Sequence, residues 1–151
     1  MENTSDQIAL RKARMSVLAK APAGRVTTLL DEAQQHRSFT WVRAPEIGST
    51  MVRGRAGGTG APFNLGEMTV TRCALSLTTG EVGHAYIQGR RKEDAQAAAL
   101  VDALMQTDAA AEVQAQVIDP LKQEIDAARS ARVQKAAATK VDFFTMVRGE
   151  D

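Results

Sequence analysis

Histidine and cysteine are scarce in this chain, with two His and one Cys in 151 residues, so the side chains that most often ligate metals or attack substrates are nearly missing. The lone thiol, Cys73, excludes an internal disulfide and fits a reducing compartment. His36 and His84 are far apart, and neither has a cysteine or carboxylate at zinc-ligand spacing, so no metal site made by this chain alone is expected. An excess of one charge is also missing. The 19 Lys and Arg against 18 Asp and Glu leave a net charge of +1, with the basic residues scattered, which gives no reason to expect nucleic acid or a membrane surface as partner. No run approaches the roughly 20 apolar residues that cross a bilayer, and the first fifteen residues lack the apolar centre of a signal peptide. A cytoplasmic protein is the expectation, and the length suits one compact domain over residues 1–151.

What the sequence does contain is one dense cluster of glycine and arginine. Between Met51 and Ala74, Gly54, Gly57, Gly58 and Gly60 free the backbone for positive φ and close approach, and Arg53 and Arg55 bring two guanidinium forks to the same place. Such a loop can bind an anion, or it can be a hairpin turn with bulges. The Gly-Gly-Thr-Gly order lacks the lysine of a phosphate-binding P-loop. It also lacks the spacing of a dinucleotide fingerprint, since it joins strands and opens no helix. Asn64 and Glu67 follow closely enough to offer an amide and a carboxylate to whatever the loop touches; their bland role is in a turn and at a solvated strand end. Arg72, Arg90 and Arg148 extend a candidate anion-binding surface, though each alone also fits a surface ion pair. His84, on a strand beside Tyr86, suits a hydrogen-bonded, partly buried histidine more readily than a catalytic one. Cys73 follows Arg72, but neighbours in a strand point to opposite faces, which favours an inert buried thiol.

Around this cluster the periodicities predict an α+β domain. Helices are expected over about Asp6 to Lys20 and Gly24 to Gln34, the second with Val26, Leu29, Leu30 and Ala33 on one face. Strands are expected at Ser38 to Arg43, ended by Ala44-Pro45, then at Ser49 to Arg55, Glu67 to Leu77 and Val82 to Gln88. In the third, Met68 and Val70 share one face while Cys73, Leu75 and Leu77 share the other, so a bulge or change of buried face is expected near Arg72. Helices follow at Lys92 to about Thr107, Ala109 to Ile118, and Leu121 to about Ala137 after Asp119-Pro120; the last has an apolar stripe too thin for full burial in one domain. The tail from Val141 to Arg148 is apolar on both faces, which predicts a covered strand joining this sheet or pairing with another subunit. The expectation is a mainly antiparallel sheet of about four to five strands with helices at both ends of the chain.

Several stretches together resemble the G subunit of the bacterial carbon-phosphorus lyase core complex. They are Arg53 to Gly60, Pro62-Phe-Asn-Leu-Gly-Glu-Met68, Thr71-Arg-Cys73, Gly83-His-Ala85, Gly89-Arg90 and the tail Ala138 to Glu150. The resemblance departs at Ser49-Thr50, where family members tend to be apolar. It implies a subunit of the system that lets bacteria use phosphonates, working with H-, I- and L-type subunits to replace the adenine of ATP by methylphosphonate. It leaves the radical carbon-phosphorus cleavage to a J-type subunit with an iron-sulfur cluster, for which this chain has no motif. No catalytic residue and no cofactor are expected in the chain itself. Ligand or partner contacts are expected from Arg53, Arg55, Gly57, Gly58, Gly60, Asn64, Glu67, Arg72, His84, Arg90 and Arg148, and a subunit interface from Val141, Phe143, Phe144 and Met146, with a second copy of the chain as a further partner. The rival expectation is a freestanding hydrolase or transferase for an anionic substrate, which would need Arg53, Arg55, Glu67 and His84 to converge.

Overall fold

The computed structural model describes residues 4–140. Helices α1 (Thr4–Ala19) and α2 (Arg25–Glu32) precede strands β1 (Phe39–Arg55), β2 (Pro62–Leu77) and β3 (Val82–Gln88). Helices α3 (Lys92–Leu104), α4 (Ala110–Val113) and α5 (Asp119–Ala138) follow. The strands pair antiparallel in the order β1-β2-β3, so the architecture is α+β with helices at both ends.

Among the described residues the sheet has three strands, not four or five. The two strands expected before the glycine loop are one, because Ala44-Pro45 does not end β1. Pro45 lacks an N–H but sits on an edge strand, and the β1–β2 register slips on both sides of Arg43, so the proline falls where the ladder is already irregular. The irregularity expected near Arg72 is therefore carried by β1, opposite Arg72 and Ala74. The tail from Val141 lies outside the described residues.

Alternation on β2 and β3 aims Cys73, Leu75, Leu77, Ala85 and Ile87 at the helical layer, where they meet Val26, Leu29 and Leu30 of α2 and Leu100, Val101 and Leu104 of α3. Each fully buried Leu, Ile or Val among these contributes about 1.5–3 kcal/mol. Alanines at 95, 99 and 103 let α3 lie almost on the sheet, and Gly83 completes the fit: a Cβ there would sit 1.9 Å from the Ala99 carbonyl oxygen. Polar pins hold the frame. Asp94 accepts from the Gly24 N–H and the Arg91 guanidinium, which also donates to the Ala21 carbonyl. The buried Thr71 hydroxyl donates to the Gly89 carbonyl and accepts from the Arg91 N–H.

Two elements leave this core. β3 ends at Gln88, opposite Val70, so Pro62–Thr69 and its β1 partner segment run on as a two-stranded arm, exposed or half-buried throughout, for roughly 25 Å at about 3.3 Å per residue. Helix α5 continues α4 through a π-helical turn at Gln114–Ile118, buries Leu121 and part of Ile125, and is exposed from Asp126 onward. That agrees with its thin apolar stripe. No helix among the described residues is long and apolar enough to cross a membrane.

Candidate functional site

The glycine loop closes the arm on itself. A short 3-10 turn, Ala56–Gly58, puts Gly57 and Gly58 at φ 61° and 81°, the left-handed region that suits glycine. The Gly60 N–H donates to the Ala56 carbonyl at 2.8 Å, and the Arg55 guanidinium donates to the Gly60 carbonyl at 3.1 Å. Arg55 thus staples its own loop, while Arg53 and Asn64, paired across the strands, lie exposed next to it and Glu67 lies exposed further along the arm, opposite Met51.

Nearer the core, the sheet face away from the helices carries Arg72, which donates to Glu46 at 2.7 Å and lies over Gly48. Arg43 approaches the same carboxylate at 3.5 Å. The Arg72 hydrogen bond holds the Glu46 carboxyl below its usual range. Tyr86, cross-strand from Arg72, also interacts with the guanidinium. His84 shares this face, and its side chain is exposed rather than partly buried; the buried partner is its N–H, which donates to Asp102 at 3.0 Å. Arg90 is exposed just past β3.

These residues do not converge. Arg55 pairs with Pro62 and His84 with Ala74, a separation of roughly 40 Å along β2 at about 3.3 Å per residue. Arg53, Arg55 and Glu67 therefore cannot share a small-molecule site with His84 within one chain. Arg148 and the proposed interface residues Val141, Phe143, Phe144 and Met146 lie outside the described residues. Among the described residues no group of three or more His, Cys, Asp or Glu is placed to hold a metal ion.

Cys73 is 2% exposed, and burial pushes its thiol up to about 11. A thiol reagent at pH 8 is expected to label the unfolded chain readily and the folded chain at a rate limited by opening. The folded state keeps its proton where the unfolded thiol, near 9.0, loses it, so stability falls as pH rises from 9.0 toward about 11. Fast stoichiometric labelling of the native protein would contradict this burial.

The family described as "Phosphonate metabolism protein PhnG" matches residues 9–149. The chain belongs to the PhnG family. It is 45% identical over 151 residues to a Rhizobium meliloti (strain 1021) protein named "Alpha-D-ribose 1-methylphosphonate 5-triphosphate synthase subunit PhnG", covering 98% of this chain and 96% of that one. The resemblance carried by the glycine loop and the later motifs is thereby borne out.

The geometry accounts for individual residues of this chain. Gly83 is set by the approach of α3, and Arg91 by its bonds to Ala21 and Asp94. Sequence reasoning passed over the pair of Arg11 with the buried Asp102, at 2.7 Å, because 91 residues separate the two. A signal was present: Asp102 interrupts the otherwise apolar run of residues 97–104.

Proposed function

We propose that this chain is the G subunit of a ribose 1-methylphosphonate 5-triphosphate synthase within a cytoplasmic carbon-phosphorus lyase system. In this reading it supports the displacement of adenine from ATP by methylphosphonate and supplies no catalytic group of its own. Its partners are H-, I-, J- and L-type subunits of that system and a second copy of itself, with the J-type cleavage downstream, and the Val141–Met146 segment is covered by one of these partners. Family membership supports the reaction, and one observation carries the assembly role. The arm projects beyond the core with Met51 50%, Phe63 45% and Leu65 66% exposed, surface that a protein built to act alone has no reason to extend. The spacing of the candidate residues along the arm and sheet speaks against the freestanding hydrolase or transferase.

The test is to shorten the arm. Thr50 and Met68 pair across the hairpin, so residues 51–67 can be replaced by an Asn-Gly turn that suits a two-residue hairpin. The core residues lie elsewhere, so the melting temperature is expected to stay within about 4 °C of wild type, the equivalent of about 1 kcal/mol. Capture of co-expressed partner subunits is expected to fall at least about tenfold, a loss of about 1.4 kcal/mol or more, with product formation falling alongside. The isolated wild-type chain is expected to make no product from ATP and methylphosphonate. Full assembly by the shortened chain, or robust turnover by the lone subunit, would overturn the proposal.

A further inference from the structure

The outer edge of β3 is covered at Val82, whose carbonyl accepts from Arg11 and Gln106, and is open at Tyr86, where a groove meets it. The Gly89 N–H donates to the Thr69 carbonyl at 2.9 Å, which makes Thr69 and Gly89 a hydrogen-bonded pair. Antiparallel ladders alternate, so Ile87 and Ala85 also bond to β2, while His84, Tyr86 and Gln88 turn their N–H and C=O groups outward. The His84 N–H is taken by Asp102 and the Gln88 carbonyl by Arg91. For the Tyr86 N–H and C=O no partner exists among the described residues. Beside them lies a cavity of about 250 Å³ under α1, lined mainly by Met15, Leu18, Ala19, Ala85, Ile87 and Ala98. It has room for an apolar side chain. Through Ser16 the cavity adjoins a larger groove between α1 and α5, with Val17, Ile125 and Val133 along it. Lys20, Lys122, Arg129 and Arg132 line that groove against a single acid, Asp126, and none of the five forms an ion pair among the described residues.

Resting on the assembly reading above, we infer that this edge and groove take an extended, apolar, carboxylate-bearing segment of a partner subunit as a fourth strand. The unmet backbone groups of Tyr86 select a strand over a helix, because strand addition draws its affinity from main-chain hydrogen bonds and its specificity from pockets for alternate side chains. The cavity takes one apolar side chain. The surplus of cations along α5 and just past the end of α1 selects carboxylates.

Tyr86→Pro in the full chain tests this directly. It removes an N–H that the β2 ladder does not use, and proline is tolerated on edge strands; Tyr86→Phe keeps the N–H and serves as control. The proline variant is expected to melt within about 4 °C of wild type while capturing co-expressed partner subunits at least about tenfold less well, with the phenylalanine variant unaffected. The double charge reversal Lys122→Glu with Arg129→Glu is expected to reduce capture comparably. Wild-type capture by Tyr86→Pro overturns the inference and leaves the assembly reading standing; failure of the wild type itself to capture any partner overturns both. Should the proline variant not fold, hydrogen exchange at the Tyr86 amide of the wild type decides: slowing on assembly supports strand addition, and an unchanged rate overturns it. A synthetic peptide of residues 141–151 is a competing probe. Displacement of the partner by that peptide would overturn the partner assignment and give the groove to the chain's own C-terminal residues.

Discussion

Replacing Gly83 by valine is expected to leave no folded protein at room temperature. A Cβ at this position would meet the Ala99 carbonyl oxygen at 1.9 Å, the Ala103 nitrogen at 2.7 Å and the Ala103 Cβ at 2.9 Å, so the clash is chiefly with backbone. α3 cannot easily retreat, because Ala95, Ala99, Val101, Ala103 and Leu104 on the same helix have no exposed surface. Overpacking of this kind costs about 1–3 kcal/mol and more where the surroundings are rigid, against a total stability of about 5–15 kcal/mol. Even Gly83→Ala is expected to lower the melting temperature by roughly 6–12 °C, taking about 3 kcal/mol at about 2–4 °C per kcal/mol. Circular dichroism melts of both variants provide the check. An alanine variant melting with the wild type would mean that α3 and β3 do not approach this closely in solution.

The second large effect is expected from Asp102→Ala. The Asp102 carboxylate, 2% exposed, accepts from Arg11 Nε at 3.0 Å, Arg11 Nη2 at 2.7 Å and the His84 N–H at 3.0 Å. Its removal strands a half-buried guanidinium and an N–H on the β3 edge together. Breaking a buried pair from one side costs about 3–5 kcal/mol; water reaches the Arg11 side chain, 37% exposed, so the loss lies at the low end, about 3 kcal/mol, and urea midpoints are expected to fall with little change in slope. Asp102→Asn keeps an acceptor for the His84 N–H and is expected to lie between. The Arg11 guanidinium, whose pKa is raised chiefly by its hydrogen bond to Asp102, shows the same coupling from the other side. A loss below about 1 kcal/mol for Asp102→Ala would mean that water replaces the pair at little cost.

These two positions also mark the limit of what was legible in advance. Helix α2 was readable because Val26, Leu29 and Leu30 repeat at helical spacing and all three are buried, and β3 because Ala85 and Ile87 alternate with His84 and Tyr86. α3 was readable in position but not in depth, since a run of alanines signals close packing without saying against what. Pro45 misled: local chemistry ends a strand there, and only an edge position with a slipped register lets β1 pass through it. Asp102 stood out as an acid in an apolar run, but its pairing with Arg11 was not readable, because no local period links residues 91 apart. At the candidate site, the loop glycines were readable as a turn and the family from several motifs in order. That Arg53 and His84 pair with opposite ends of β2, at Asn64 and Ala74, followed from strand lengths that composition does not encode.

The three-stranded meander with α3 behind it has a consequence for synthesis. Residues 39–104 are joined by neighbouring connections, β1 to β2, β2 to β3 and β3 to α3. The first two helices, by contrast, dock on elements made later: α2 on α3, and α1 on β3 and α3. A chain leaving the ribosome therefore carries Leu18, Val26, Leu29 and Leu30 uncovered until α3 has emerged, more than seventy residues after α2 is complete. Closure of the N-terminal segment is then a late event, sealed by Arg11 on Asp102 and by the Gly24 N–H on Asp94, and a nascent chain stalled before Lys92 offers its first two helices to chaperones.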